Sequence, residues 1–168
     1  MIQLIHAHIL PAALSLLPPE MDSPNARALL LAIGLQESRF QHRRQIGGPA
    51  RGAWQFEYGG GILGVRTHPA TDGHLSAALN KLCYAPDASQ EALYKAIEHN
   101  DVLAAVMARL LLWTLPDALP GPQDAGKGYS QYLQAWRPGK PHSFTWPDNY
   151  RQAWDLVIPF AENTGSGV

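Results

Sequence analysis

Glu37 is the residue whose neighbours point most directly to chemistry. In a helical projection of residues 24–40, Ala26, Leu29, Leu30, Ile33, Gly34 and Phe40 share its side, while Ala28, Leu31, Ala32 and Leu35 cover the other. A helix that is apolar all round is expected to be central and buried, so its single carboxyl is poorly solvated. The carboxyl also falls in the last turn, where the partial negative charge of the helix end disfavours an anion. Both effects raise its pKa and keep a useful fraction protonated near neutral pH, which is what a general acid requires. The alternative is an ion pair with Arg27, Arg39 or Arg51, which would make Glu37 a structural anion.

Other chemistries find less support. The seven histidines are scattered, no His-Glu-x-x-His occurs and the sole cysteine has no partner, so no metal site and no cofactor are expected. Gly59-Gly60-Gly61 lacks the Lys-Ser/Thr of a phosphate loop and any preceding strand signal; it reads as a flexible turn.

The chain as a whole reads as helices divided by glycine and proline, with no repeat and no convincing alternating strand: an all-α fold. A first helix is expected over 1–17. Ser23-Pro24, a capping hydroxyl before a proline at the first helical position, starts the Glu37 helix over 24–40. Residues 47–61 are too glycine-rich for a long helix and suit a loop with a short hairpin. Further helices are expected over 72–84, 90–99, 102–113 (capped by Asn100-Asp101), 124–136 and 148–161, ahead of a frayed tail over 163–168.

At 168 residues the chain fits a single domain, placed at 1–162, and 46% apolar against 16% charged residues leaves ample material for a core. The formal charge of −1 gives no whole-molecule field to draw in nucleic acid. The one basic cluster, Arg39, His42, Arg43 and Arg44, reads as a solvated loop patch. Cys83 reads as a small core filler. The apolar start has no basic leader or cleavage site and is too short to span a bilayer, so neither a signal peptide nor membrane insertion is expected.

Two segments carry a resemblance. Ile33-Gly34-Leu35-Gln36-Glu37-Ser38-Arg39-Phe40 resembles the first motif of the lysozyme superfamily, as found in goose-type lysozymes and soluble lytic transglycosylases: a buried helix ending in Glu-Ser, followed shortly by an aromatic. Ala50-Arg51-Gly52-Ala53-Trp54-Gln55-Phe56 is similar to the second, Gly-Leu-Met-Gln plus an apolar residue, with Ala53-Trp54 in place of Leu-Met. The third, Ala-Tyr-Asn, has its closest counterpart in residues 129–136. The resemblance implies a lysozyme-like catalytic domain with Glu37 as the catalytic acid. It implies Ser38, Gln55 and Tyr132 as substrate-binding residues, with Gly52 letting the backbone turn beneath a saccharide. Read without it, Tyr129, Tyr132 and Trp136 form an aromatic helical face against the core.

Glu57 bears on the reaction. Goose-type lysozymes have an acid two residues after the motif glutamine, and Glu57 occupies that place after Gln55. A second carboxylate roughly 6.5–9.5 Å across a cleft can activate water for inverting hydrolysis; without it, the sugar's own hydroxyl attacks and leaves an anhydro product. The competing reading is an exposed loop acid near Arg51 or Arg66. The expected function is therefore a muramidase acting on peptidoglycan glycan strands, with a lytic transglycosylase or a non-catalytic wall-binding or virion module as alternatives. The small size and wall-lytic motifs resemble phage or prophage lysis enzymes. Such a protein acts as a monomer or as part of the particle, and waits in the host cytoplasm for a holin or travels with the virion.

Overall fold

The computed structural model describes residues 1–162, so the tail expected to fray, 163–168, lies outside the described residues. The described chain is mostly helical and carries no sheet; its extended pairings are the isolated bridges Arg44↔Arg51 and Arg51↔Phe56. The all-α expectation therefore holds.

The first helical run, α1, covers 2–14 in three pieces: Ile2–Leu4, a π-turn at Ile5–Ile9, and Leu10–Leu14. Pro11 has no N–H to give and its ring crowds the preceding carbonyls; a widened turn just before it absorbs both problems without ending the helix. The run stops at Leu14, short of the expected residue 17, and passes into a 3₁₀ turn at Pro19–Met21.

Helix α2, Pro24–Glu37, begins as expected: Ser23 is extended and its hydroxyl accepts the Ala26 N–H at 3.1 Å. It ends three residues early. Arg39 and Phe40 adopt left-handed φ values of 52° and 56°, which swings the Phe40 ring back against the helix. Gly34 makes this possible, since a Cβ there would lie 2.1 Å from that ring. The positive φ at Phe40 is a strained conformation for an aromatic residue. Burial of the whole ring, packed edge-on against Trp54 at 5.5 Å, compensates for it.

The remaining helices are α3 (Leu63–Thr67), α4 (Asp72–Lys81), α5 (Gln90–Ala96), α6 (Asp101–Trp113), α7 (Ala125–Trp136) and α8 (Trp146–Glu162). Ser89 and Asn100 cap α5 and α6 through side-chain oxygens that accept the Ala92 and Leu103 N–H groups. Helix α8 starts two residues before the expected 148, because Pro147 is tolerated in a first turn and the 3₁₀ turn Ser143–Thr145 leads straight into it. Helices α2 and α6 form the centre, with α8 packed along α2 and α1 along α6, around one contiguous apolar cluster.

Two expectations fail. Cys83 is exposed at a left-handed turn after α4, so it fills no core. The basic cluster is not merely solvated: Arg43 is half-buried and pairs with Asp101 at 2.5 Å, fixing the loop after α2 to the start of α6.

Candidate active site

The last residue of α2, Glu37, borders a cleft of about 1110 Å³ whose walls are the loop 55–61, helix α3, the end of α6, and α7 with the turn that follows it. Its Oε1 accepts the Tyr132 hydroxyl at 2.7 Å. Desolvation is the largest influence on its carboxyl and raises the pKa from 4.5 to about 7. The Tyr132 hydrogen bond favours the anion and works against this rise, while the negative charge of Glu57 adds to it. The three arginines that could have neutralised Glu37 do not. Arg27 pairs with Asp22 at 2.7 Å, Arg51 pairs with Glu98 at 3.2 Å, and Arg39 points to a separate surface hollow beside Phe144. Among the described residues Glu37 has no cationic partner, and it stays an acid able to carry a proton at neutral pH.

Tyr132 owes its place to α7. Tyr129 and Tyr132 on one face of that helix lean on α8, where Tyr132 stacks on Trp146 with ring centroids 5.4 Å apart and planes 12° from parallel. The close approach is set by Gly128, whose hypothetical Cβ would stand 2.8 Å from the Tyr150 ring. Tyr132 is thus a core aromatic whose hydroxyl also reaches Glu37 on the cleft wall. Burial and the neighbouring Glu37 push its phenol well above the usual range, so it remains a donor. Trp136, on the cleft wall, donates from Nε1 to the Trp54 carbonyl at 2.8 Å and so ties α7 to the loop.

The loop itself is a tight hairpin. Arg51 and Phe56 exchange backbone hydrogen bonds at 2.9 and 2.8 Å, and the four residues between them hold Gln55 at a φ of 50°. Gln55 is nearly buried on the cleft wall, with its Nε2 donating to the Gly52 carbonyl at 2.9 Å. Ser38 corrects an expectation. Its buried hydroxyl donates to the Ala53 carbonyl at 2.5 Å and accepts from the Phe40 N–H at 3.0 Å, away from the cleft. It positions the loop against the end of α2 and does not face a substrate. Gly52 differs in the same way. At a φ of 75°, its hypothetical Cβ would lie 2.7 Å from the Ile97 carbonyl oxygen, so the close approach it permits is to the protein's own backbone.

Glu57 is exposed on the cleft wall, at the entrance to a π-turn over Tyr58–Ile62. Glu57 and Glu37 line the same cleft, and the charge of Glu57 adds to the rise in the Glu37 pKa. No group of His, Cys, Asp and Glu among the described residues could hold a metal ion.

Sequence reasoning missed Gln36. Its Nε2 donates to the His142 carbonyl at 2.9 Å, while its Oε1 accepts from Thr145 Oγ at 3.0 Å and Asn149 Nδ2 at 2.8 Å. Its only signal was a polar residue beside Glu37 after the apolar run 28–35. Comparison of this chain with protein-family models, with curated proteins and with solved structures finds no match.

Proposed function

We propose that this protein cleaves the glycan strands of peptidoglycan, between N-acetylmuramic acid and N-acetylglucosamine, with Glu37 as the general acid. The observation that carries the reading is a largely desolvated, proton-holding carboxyl, hydrogen-bonded by Tyr132, beside an open cleft large enough for several sugar rings. The resemblance of residues 33–40 and 50–56 to lysozyme-superfamily motifs supports the same choice of polymer.

A glycosidic oxygen is a poor leaving group until it is protonated. Glu37 delivers its proton to that oxygen as the C–O bond breaks, the sugar bearing the oxygen departs as an alcohol, and positive charge grows on the anomeric carbon left behind. As Glu37 becomes an anion, the Tyr132 hydroxyl stabilises the new charge. Glu57 accepts a proton from a water molecule that bonds to the anomeric carbon from the opposite face. The products are an alcohol and a reducing end, and proton exchange with solvent resets both carboxyls.

The test is digestion of purified sacculi followed by mass spectrometry. Reducing ends from the wild type, lost with Glu37→Gln, are the expected result. Anhydro ends would replace the Glu57 step with attack by the sugar's own hydroxyl, making the protein a lytic transglycosylase. Undiminished clearing by Glu37→Gln, or binding to murein without cleavage, would end the enzymatic reading.

A further inference from the structure

The far wall of the cleft carries a charge that the glycan chemistry above does not use. Helix α7 ends at Trp136, and the next residue, Arg137, sits in the left-handed region with φ 50° and ψ 50°. That is the place helix termination usually gives to glycine, because a side chain there is strained. Here it is an arginine, three residues before Lys140, and both line the cleft. Arg137 leans on the Gln134 carbonyl through Nε at 3.4 Å, and neither cation pairs with an acidic side chain among the described residues.

The segment bearing these cations is fastened at both ends. At its start the Arg137 N–H donates to the Leu133 carbonyl at 3.1 Å. At its finish the His142 carbonyl accepts from Gln36, the residue next to Glu37. A bond between the cationic turn and the helix of the acid fixes their relative position, so whatever the cations grip is held in register with the bond to be cut.

Sugar hydroxyls and acetamides can accept hydrogen bonds from these cations but bring no charge to match them, whereas the peptide stems that branch from muramic acid carry free carboxylates. We propose that Arg137 and Lys140 form a subsite for a peptide-stem carboxylate, so that the protein selects stem-bearing glycan over bare strands. This rests on the glycosidase reading. Arg137 suits the role through its planar, two-pronged donor face.

The test compares three substrates: intact sacculi, strands freed of stems by an amidase, and sacculi whose stem carboxylates have been converted to amides. Wild type is expected to cut intact material about tenfold faster than either of the others. The double variant Arg137→Gln/Lys140→Gln should bring that ratio close to one. A wild-type ratio near one, or a double variant that keeps the wild-type ratio, overturns the proposal. Fast cutting of the amidated sacculi overturns it as well, since a carboxylate is then not what is read.

A wild type that cuts none of the three sinks the glycosidase reading instead. Titration of a soluble muramyl tripeptide then decides the subsite by itself. Binding that weakens about tenfold in the double variant supports it, and binding that is absent or equal in both proteins refutes it.

Discussion

Glu37 and Glu57 border one cleft, yet they are held in opposite ways. Glu37 ends a buried helix and accepts from a tyrosine that is itself stacked on a tryptophan. Glu57 stands exposed at the head of Tyr58-Gly59-Gly60-Gly61, where Gly60 has non-helical backbone angles inside a π-turn. The contrast separates two tasks. A proton donor needs a fixed, dry environment to keep its proton at neutral pH, whereas a group that handles water gains from access to it. The base of this cleft is built from packed aromatic side chains, and Glu57 stands exposed on its glycine-rich edge.

The largest test of that contrast is Glu37→Gln. Loss of the proton donor is expected to lower the rate of sacculus digestion by about a thousandfold or more. Stability should move the other way. The carboxyl's pKa is about 7 when folded and 4.5 when unfolded, so neutral Glu37 contributes stability that is fully present below about pH 4.5 and lost as pH rises through 7. Above that, burying the anion costs on the order of 3 kcal/mol. Thermal melts should therefore show Glu37→Gln more stable than wild type at pH 8 and little different at pH 4. Equal melting temperatures at both pH values would mean that the site is wetter than it looks.

Glu57→Gln probes the other carboxyl. In the proposed hydrolysis it takes a proton from water, so its loss is expected to reduce formation of reducing ends about a hundredfold, with no penalty to the melting temperature because the side chain is exposed. A variant with full hydrolytic activity would remove Glu57 from the mechanism.

Gly34→Ala tests whether the rigid base depends on the backbone behind it. A methyl group there would meet the Phe40 ring, and that ring cannot leave without releasing the turn that Ser38 ties to Ala53. Overpacking of this kind costs about 1–3 kcal/mol, readable by denaturant unfolding. An unchanged midpoint would show that Phe40 moves freely.

How much of this could be read in advance follows the same division. The apolar run before Glu37, its Ser23-Pro24 start and the Asn100 cap are local signals, and the helices they predict are present. The raised pKa of Glu37 was expected from its place in the last turn of a buried helix, and desolvation is its largest cause. Where α2 stops did not, since that depends on Phe40 finding space at Gly34, a contact across a turn with no signature in hydrophobic periodicity. Ser38 and Gly52 were misplaced for a related reason. Their residue types suit a site facing solvent equally well, and only the positions of Ala53 and Ile97 show that both face inward. Gln36 was invisible because its partners lie more than a hundred residues away.

The smallest effect is the most discriminating. Tyr132 and Glu57 act on the same proton with opposite signs: the phenol's hydrogen bond favours charged Glu37, and the Glu57 charge disfavours it. In the proposed mechanism Glu37 must be protonated to act, so activity is expected to fall as pH rises through its pKa. Tyr132→Phe removes the stabilising donor, and the alkaline limb of the pH–rate profile should move upward, while the maximal rate drops because the developing anion has lost its partner. Glu57→Gln should move the same limb downward. The upward shift depends on a fixed bond within the rigid base and should persist in high salt. The downward shift arises from an exposed charge and should shrink as ions screen it. Two limbs moving in the same direction, or a Tyr132→Phe shift that salt abolishes, would mean that Glu37 is governed by solvent and not by the packed aromatic beneath it.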